Sequence, residues 1–223
     1  LKKSVYSAVI FDFDGTIVDS MPDILACMKE AYAKEGVFDA KPEQKHIGPP
    51  LMECLKNITP KLDVSVLEKV CGNFKNEYDN SDYPRTTVYP GVKETIEFLK
   101  AEDAKLYLVT NKRYIPTLRM LDAFKVKEFI SVVSPDIKSG ELMNKTEMLA
   151  YLLKKEKIKP ENAVYVGDSV TDIISAHANG IKAVAVTYGY STKKQLEKSG
   201  PDILINSFKD LIKIIIAEDE GFK

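Results

Sequence analysis

The chain has 223 residues, enough to bury a sizeable core, either as one large domain or as a core domain with a smaller companion. Lysine and arginine number 32 against 33 acidic residues, so the near-neutral chain has no general attraction for nucleic acid or anionic membrane. Cys27, Cys54 and Cys71 form no CxxC pair and lie apart from any histidine cluster, so reduced thiols in a cytoplasmic protein are expected rather than a zinc site. No apolar run reaches membrane-spanning length, and Leu1-Lys2-Lys3-Ser4 leads straight toward a strand without the apolar region of a signal peptide. The missing initiator methionine points to a trimmed start.

In chain order, apolar runs rich in β-branched residues at 5–11, 106–109, 129–133, 163–166, 183–186 and 203–205 read as strands. Helical patterns cover 92–100, 115–124, 145–155, 171–179 and 193–198, with Asn179-Gly180 as a helix stop and Pro160 closing a connection. Strands alternating with helices predict an α/β fold: a Rossmann-like parallel sheet core flanked by helices and buried on both faces.

The alternation breaks between about Met21 and Arg85. Ile24, Leu25, Met28, Ala31 and Tyr32, then Leu51, Leu55 and Ile58, then Val66, Leu67, Val70, Phe74 and Tyr78 recur at helical spacing, with no strand of buried type among them. An all-helical domain inserted after the first strand is the simplest account. It would cover 18–86, with 1–17 and 87–223 forming the core domain; Pro84 and Tyr89-Pro90-Gly91 would mark the return.

Ligands of an open parallel sheet bind beyond the carboxyl ends of its strands. Those ends carry Asp12 and Asp14 on the first strand, Thr110 and Asn111 on the second, and Gly167, Asp168 and Ser169 on the fourth, with Asp172 one helical turn later. Asp12 and Asp14 are two apart, so extended backbone would aim both the same way. Carboxylates crowded together need a cation, a shared proton or hydrogen bonds, and an all-oxygen donor set of Asp12, Asp14 and Asp168 suits Mg2+ better than zinc. Phosphate is the usual anionic companion of such an ion. Gly15 permits a tight turn with amides facing an anion, Thr110 and Asn111 offer hydrogen bonds, and Lys145 is the candidate lysine, with Lys138 the fallback. Taken singly, Asp14, Asp19 or Ser169 would more often be a turn or helix cap. Their coincidence at several strand ends is what points to a site.

The segments Asp12-Phe13-Asp14-Gly15-Thr16, Thr110-Asn111-Lys112, Lys145 and Gly167-Asp168-Ser169-Val170-Thr171-Asp172 resemble, in order, the four motifs of the haloacid dehalogenase-like hydrolases, most closely the phosphoglycolate phosphatase-like branch. The resemblance implies a Mg2+-dependent phosphatase acting on a small phosphorylated metabolite through an aspartyl-phosphate, with Asp12 as nucleophile and Asp14 as the acid and base. Mg2+ would be held by the Asp12 carboxylate, the Asp14 backbone carbonyl and Asp168, backed by Asp172 and Ser169. Thr110 and Lys145 would hold the phosphoryl oxygens, and the inserted helices would form a cap. One departure is that many relatives carry the lysine in a Lys-Pro-x-Pro context, where this chain reads Asn144-Lys145-Thr146-Glu147.

Asp14 argues against dehalogenation, which has no leaving oxygen to protonate, and against phosphonate hydrolysis, whose branch replaces the second acid. A β-phosphoglucomutase-like mutase resembles a pattern with a histidine twelve residues after the nucleophile, where this chain has Ile24. A phospho-accepting receiver would also cluster acids, a threonine and a lysine at strand ends, but needs neither a second acid nor a cap. A binding-only descendant of the fold would not need every catalytic position filled. His46, in a Gly-Pro-containing loop of the cap, is a candidate substrate contact, although a solvated loop histidine fits as well. Lys112 and Arg113 suit a carboxylate or second phosphate, or a solvated helix start. His177 reads as exposed. The expected partner is the small substrate, without nucleic acid or membrane, for a monomer or homodimer.

Overall fold

The computed structural model describes residues 6–48, 51–137 and 143–217. These form two compact units, residues 1–19 with 88–223, and residues 20–87. The sequence pattern put the crossings at 17/18 and 86/87. Two short strands lie at them, β2 (Val18–Asp19) and β3 (Thr87–Val88).

The larger unit is built on β1 (Ala8–Phe11), β4 (Lys105–Val109), β5 (Ser131–Val133), β6 (Ala163–Gly167), β7 (Lys182–Val186) and β8 (Ile203–Ile205). They pair in parallel in the order β5-β4-β1-β6-β7-β8. Ala8–Phe11 is in register with 105–108 on one side and 163–166 on the other, so β1 is central and all four of its residues are buried. Strand order reverses at β1, and a crevice forms at such a switch point, beyond the carboxyl ends.

Alternation along the strands sorts the core into two layers. Ala8, Ile10, Tyr107, Val109 and Tyr165 pack with Met148, Leu149 and Leu152 of α6 (Lys145–Glu156) and with Ile173 and Ala176 of α7 (Val170–Ala178). On the other face, Phe11 stacks on Phe208 at 5.6 Å between ring centroids and meets Phe129 edge-on at 6.0 Å. The sheet unit is completed by α4 (Val92–Ala101), α5 (Tyr114–Ala123), α8 (Lys193–Ser199) and α9 (Asp210–Ala217).

Two strands are shorter than their apolar runs. Tyr6 and Ser7 precede β1 because pairing with β4 begins at Ala8, opposite Lys105. Phe129 and Ile130 lie outside β5; Phe129 is used against Phe11, and the Ile130 amide donates to the Leu106 carbonyl at 2.8 Å. Apolar content reported burial here, and burial is wider than the ladder.

The smaller unit contains α1 (Met21–Lys34), α2 (Leu51–Ile58) and α3 (Val64–Asn80), with a 3-10 turn at Gln44–His46. The helical spacing places Ile24, Met28, Ala31 and Tyr32 inside, with Leu55, Leu67, Val70, Phe74 and Tyr78. The Tyr32 hydroxyl donates to the Leu55 carbonyl at 2.7 Å, fixing α1 to the end of α2. Cys27, Cys54 and Cys71 are buried in this unit and form no disulfide. No described helix is long and apolar enough to cross a membrane.

Candidate active site at the sheet switch point

The Asp12 amide donates to the Val166 carbonyl at 2.9 Å, so the β1–β6 ladder runs one residue past the strand and fixes Asp12 at its tip. The chain then turns sharply, with the amides of Thr16, Ile17 and Val18 all donating to the Phe13 carbonyl. Gly15 is required there twice over. Its φ of +84° suits glycine, and a Cβ would stand 2.3 Å from Asp168 Oδ2.

Asp168 follows β6 and is buried. It accepts from the Tyr190 amide at 2.7 Å and from the Thr16 hydroxyl at 3.3 Å. Ser169 caps α7, and its hydroxyl accepts from the Asp172 amide. The Asp172 carboxylate is saturated: Oδ2 accepts from the Asp168 amide, the Ser169 amide and the Ser169 hydroxyl, and Oδ1 from Tyr165 and Lys145. Asp172 therefore holds its neighbours in place. Gly167 makes room for it, since a Cβ there would be 2.4 Å from the Asp172 carboxyl carbon.

Lys145 is the first residue of α6, which starts there because Asn144 and Glu147 form a reciprocal capping box. Lys145 is 3% exposed, and its ammonium lies 2.6 Å from Asp172 Oδ1 and 3.0 Å from Asp12 Oδ1. The Asp12 contact is an ion pair outside hydrogen-bond alignment, leaving Oδ1 a buried oxygen without a hydrogen bond. Lys138, the alternative lysine, lies outside the described residues.

Burial, and next the repulsion of Asp172, push the Asp12 carboxyl up from 3.8 to about 7 against the pull of Lys145. Burial followed by Asp172 and Asp12 raises Asp168 well above the carboxylate range. Burial disfavours the Lys145 ammonium, but Asp12 and Asp172 outweigh it and its pKa is raised. Three buried carboxylates, Asp12, Asp168 and Asp172, thus lie around the Lys145 ammonium. Asp12, Asp168 and Asp172 each offer an oxygen within 4.8 Å of the others. Asp172 is already committed, so the orphaned Asp12 oxygen and Asp168 are the groups that fit a divalent cation. The donors are all oxygen, which favours a hard ion.

Thr110, at the end of β4, is buried, and its hydroxyl accepts from the Lys112 amide at 3.1 Å; Asn111 is exposed. Asp12, Asp14, Gly15, Thr110, Lys145, Asp168, Ser169 and Asp172 all belong to the sheet unit. His46 belongs to the helical unit, where its Nδ1 accepts from the Glu43 amide at 3.1 Å. His177 is exposed and pairs with Asp202 at 2.9 Å.

Sequence reasoning left Lys112 between an anionic partner and a solvated helix start, and it missed the loop after β7. Lys112 is buried, with Nζ 3.0 and 3.2 Å from the two Asp14 oxygens. The loop after β7 closes on Asp168: Tyr190 supplies an amide, the Tyr188 hydroxyl donates to the Thr16 carbonyl at 2.9 Å, and a Cβ on Gly189 would stand 2.2 Å from Asp168 Cβ. A glycine between two tyrosines at a strand end was the available signal for the loop. For Lys112 the sequence offered its place after Asn111, which did not choose between an anionic group and solvent; its burial against Asp14 does.

The family described as haloacid dehalogenase-like hydrolase matches residues 9–186 of the chain. A protein of Haemophilus influenzae named phosphoglycolate phosphatase is 30% identical, the match covering 94% of this chain and 98% of that one. Phosphoglycolate phosphatase 1 of Pseudomonas aeruginosa is 29% identical over 92% of this chain and 78% of its own length. A crystal structure from Haemophilus somnus, named as a predicted phosphoglycolate phosphatase, superposes with a TM-score of 0.84 at 27% identity, covering 95% of this chain and 98% of that one.

Proposed function

The chain belongs to the haloacid dehalogenase-like hydrolases, and from that premise we propose that it is a Mg2+-dependent phosphatase acting on a small phosphorylated metabolite of the phosphoglycolate type. The observation that carries this reading is the buried, unbonded Asp12 oxygen at the switch point, with a lysine ammonium 3.0 Å away. The substrate class rests on relatives named phosphoglycolate phosphatase that align over nearly the whole chain.

Asp12 attacks phosphorus in line, forming an oxygen–phosphorus bond as the bond to the leaving oxygen breaks. Two such displacements replace one harder hydrolysis. Asp14 gives the leaving oxygen its proton, then takes one from the water that hydrolyses the aspartyl-phosphate. Lys145 and Thr110 hold phosphoryl oxygens as charge redistributes, which is where preorganised donors contribute most. The Asp12 and Asp168 carboxylates and the Asp14 backbone carbonyl are assigned to Mg2+, which supplies charge neutralisation to the transferring group. Asp172 keeps Lys145 and the start of α7 in position. Gly15 lets the turn approach the anion, and Asn111 and His46 are assigned to substrate contacts. Residues 18–86 are assigned as the cap domain, and 1–17 with 87–223 as the catalytic core.

Ile24 at the position of the mutase histidine favours hydrolysis over phosphoryl transfer between sugars. Three buried cysteines outside any disulfide agree with a reducing, cytoplasmic setting. The test is phosphate release from a panel of phosphorylated metabolites with and without Mg2+, using Asp12→Asn as control. Mg2+-dependent multiple turnover, abolished in the variant, is expected. Undiminished turnover by Asp12→Asn overturns the mechanism, and persistent stoichiometric labelling without turnover identifies a receiver instead.

A further inference from the structure

The ion pair between Lys112 and Asp14 joins the tip of β4 to the loop after β1, 98 residues apart in the chain. The Thr110 hydroxyl accepts from the Lys112 amide, a local turn that brings the chain off β4 before α5 begins. The Lys112 side chain is 4% exposed, against 20% for Asp14. A buried ammonium persists only with partners, and Lys112 spans both Asp14 oxygens almost evenly, at 3.0 and 3.2 Å. One ammonium held at nearly equal distance from both oxygens restrains where the carboxyl lies and how far it swings from the tip of β4.

We propose that Lys112 is a positioning residue for Asp14, holding its carboxyl in the place from which it exchanges a proton with the leaving oxygen and the hydrolytic water. The inference rests on the reading of Asp14 as proton carrier. Proton transfer needs the carboxyl oxygen within about 2.6–3.2 Å of the reacting oxygen. Asp14 lies beside the tight Gly15 turn and is part-exposed, and the Lys112 contact narrows the rotamers that its side chain adopts. When Asp14 is protonated, one oxygen still accepts from Lys112 while the other carries the proton. That proton moves to the leaving oxygen as the oxygen–phosphorus bond of the ester breaks, and Asp14 is left as the carboxylate ready for the water's proton. Lys112 thus acts in both half-reactions without touching the phosphoryl group.

A leaving-group series separates this role from a purely structural one. Alkyl phosphates need the leaving oxygen protonated, whereas p-nitrophenyl phosphate does not. The ratio kcat/KM covers the steps up to the first phosphoryl transfer, where that proton is delivered. For Lys112→Met, kcat/KM should fall about a hundredfold on an alkyl phosphate and less than about fivefold on p-nitrophenyl phosphate, with Lys112→Arg recovering most of the alkyl activity. A uniform loss on both substrates, or no loss, overturns the proposal. Asp14→Asn run alongside tests the underlying reading: uniform loss there sinks the role of Asp14 itself. A selective loss in Asp14→Asn with a uniform one in Lys112→Met sinks only the inference. Should Lys112→Met fold poorly by circular dichroism, Lys112→Gln and Lys112→Arg carry the same comparison, and equal activity of these two on the alkyl ester counts against it.

Discussion

Replacing Lys145 by methionine keeps the volume of the side chain and removes its charge from between two buried carboxylates. At an effective dielectric of about 20, the contacts at 3.0 and 2.6 Å correspond to roughly 5 to 6 kcal/mol of gross attraction each. Most of that is offset, because the variant no longer desolvates an ammonium and Asp12 readily takes up a proton. Removing one partner of a buried pair costs about 3–5 kcal/mol net. For a chain of this length, that lowers the melting temperature by roughly 6–20 °C. Differential scanning calorimetry in chelator should show the drop in the sheet unit, and saturating Mg2+ should return part of it by supplying another cation. Phosphatase turnover should fall at least about a hundredfold, as for loss of one preorganised donor. A Lys145→Met protein melting within about 3 °C of wild type would refute the claim that this ammonium holds the carboxylate cluster together.

Asp12 gives a pH dependence whose sign follows from its raised pKa. Unfolded, it ionises near 3.8; folded and metal-free, it keeps its proton up to about 7, so the unfolded state binds fewer protons in that window. The stability of the metal-free protein should therefore fall as pH rises from about 4 to 7, Asp168 acting in the same direction, and Asp12→Asn should flatten the fall. Mg2+ competes with that proton, so the rise in melting temperature it produces should be larger at pH 8 than at pH 5; the reverse order counts against Asp12 as a ligand. Gly189→Ala inserts a methyl group 2.2 Å from Asp168 Cβ and 2.5 Å from the Gly15 carbonyl. It should cost about 1–3 kcal/mol in chelator and weaken Mg2+ binding at least about tenfold by calorimetric titration. Unchanged affinity would mean that the loop does not position Asp168.

The sequence by itself determined the α/β class, the existence of each sheet strand and the helical character of the segment around 21–85. Those signals are local: apolar period, β-branched content and caps such as Asn144 with Glu147 act among residues a few positions apart. Strand ends at Ser7 and Phe129 were misjudged because apolar residues are buried by the core whether or not a ladder partner is present. The clustering of Asp12, Thr110 and Asp168 was legible only by assuming where a parallel sheet puts its ligands, and only the strand order β5-β4-β1-β6-β7-β8 makes β4 and β6 the flanks of β1. Tertiary structure alone decided that Asp14 is held by Lys112, that Asp172 meets Lys145, and that the loop at Gly189 leaves no room for a side chain beside Asp168. Such partners are set by which strand tips become neighbours, and burial then makes each charge depend on a residue that no local pattern in the chain can identify.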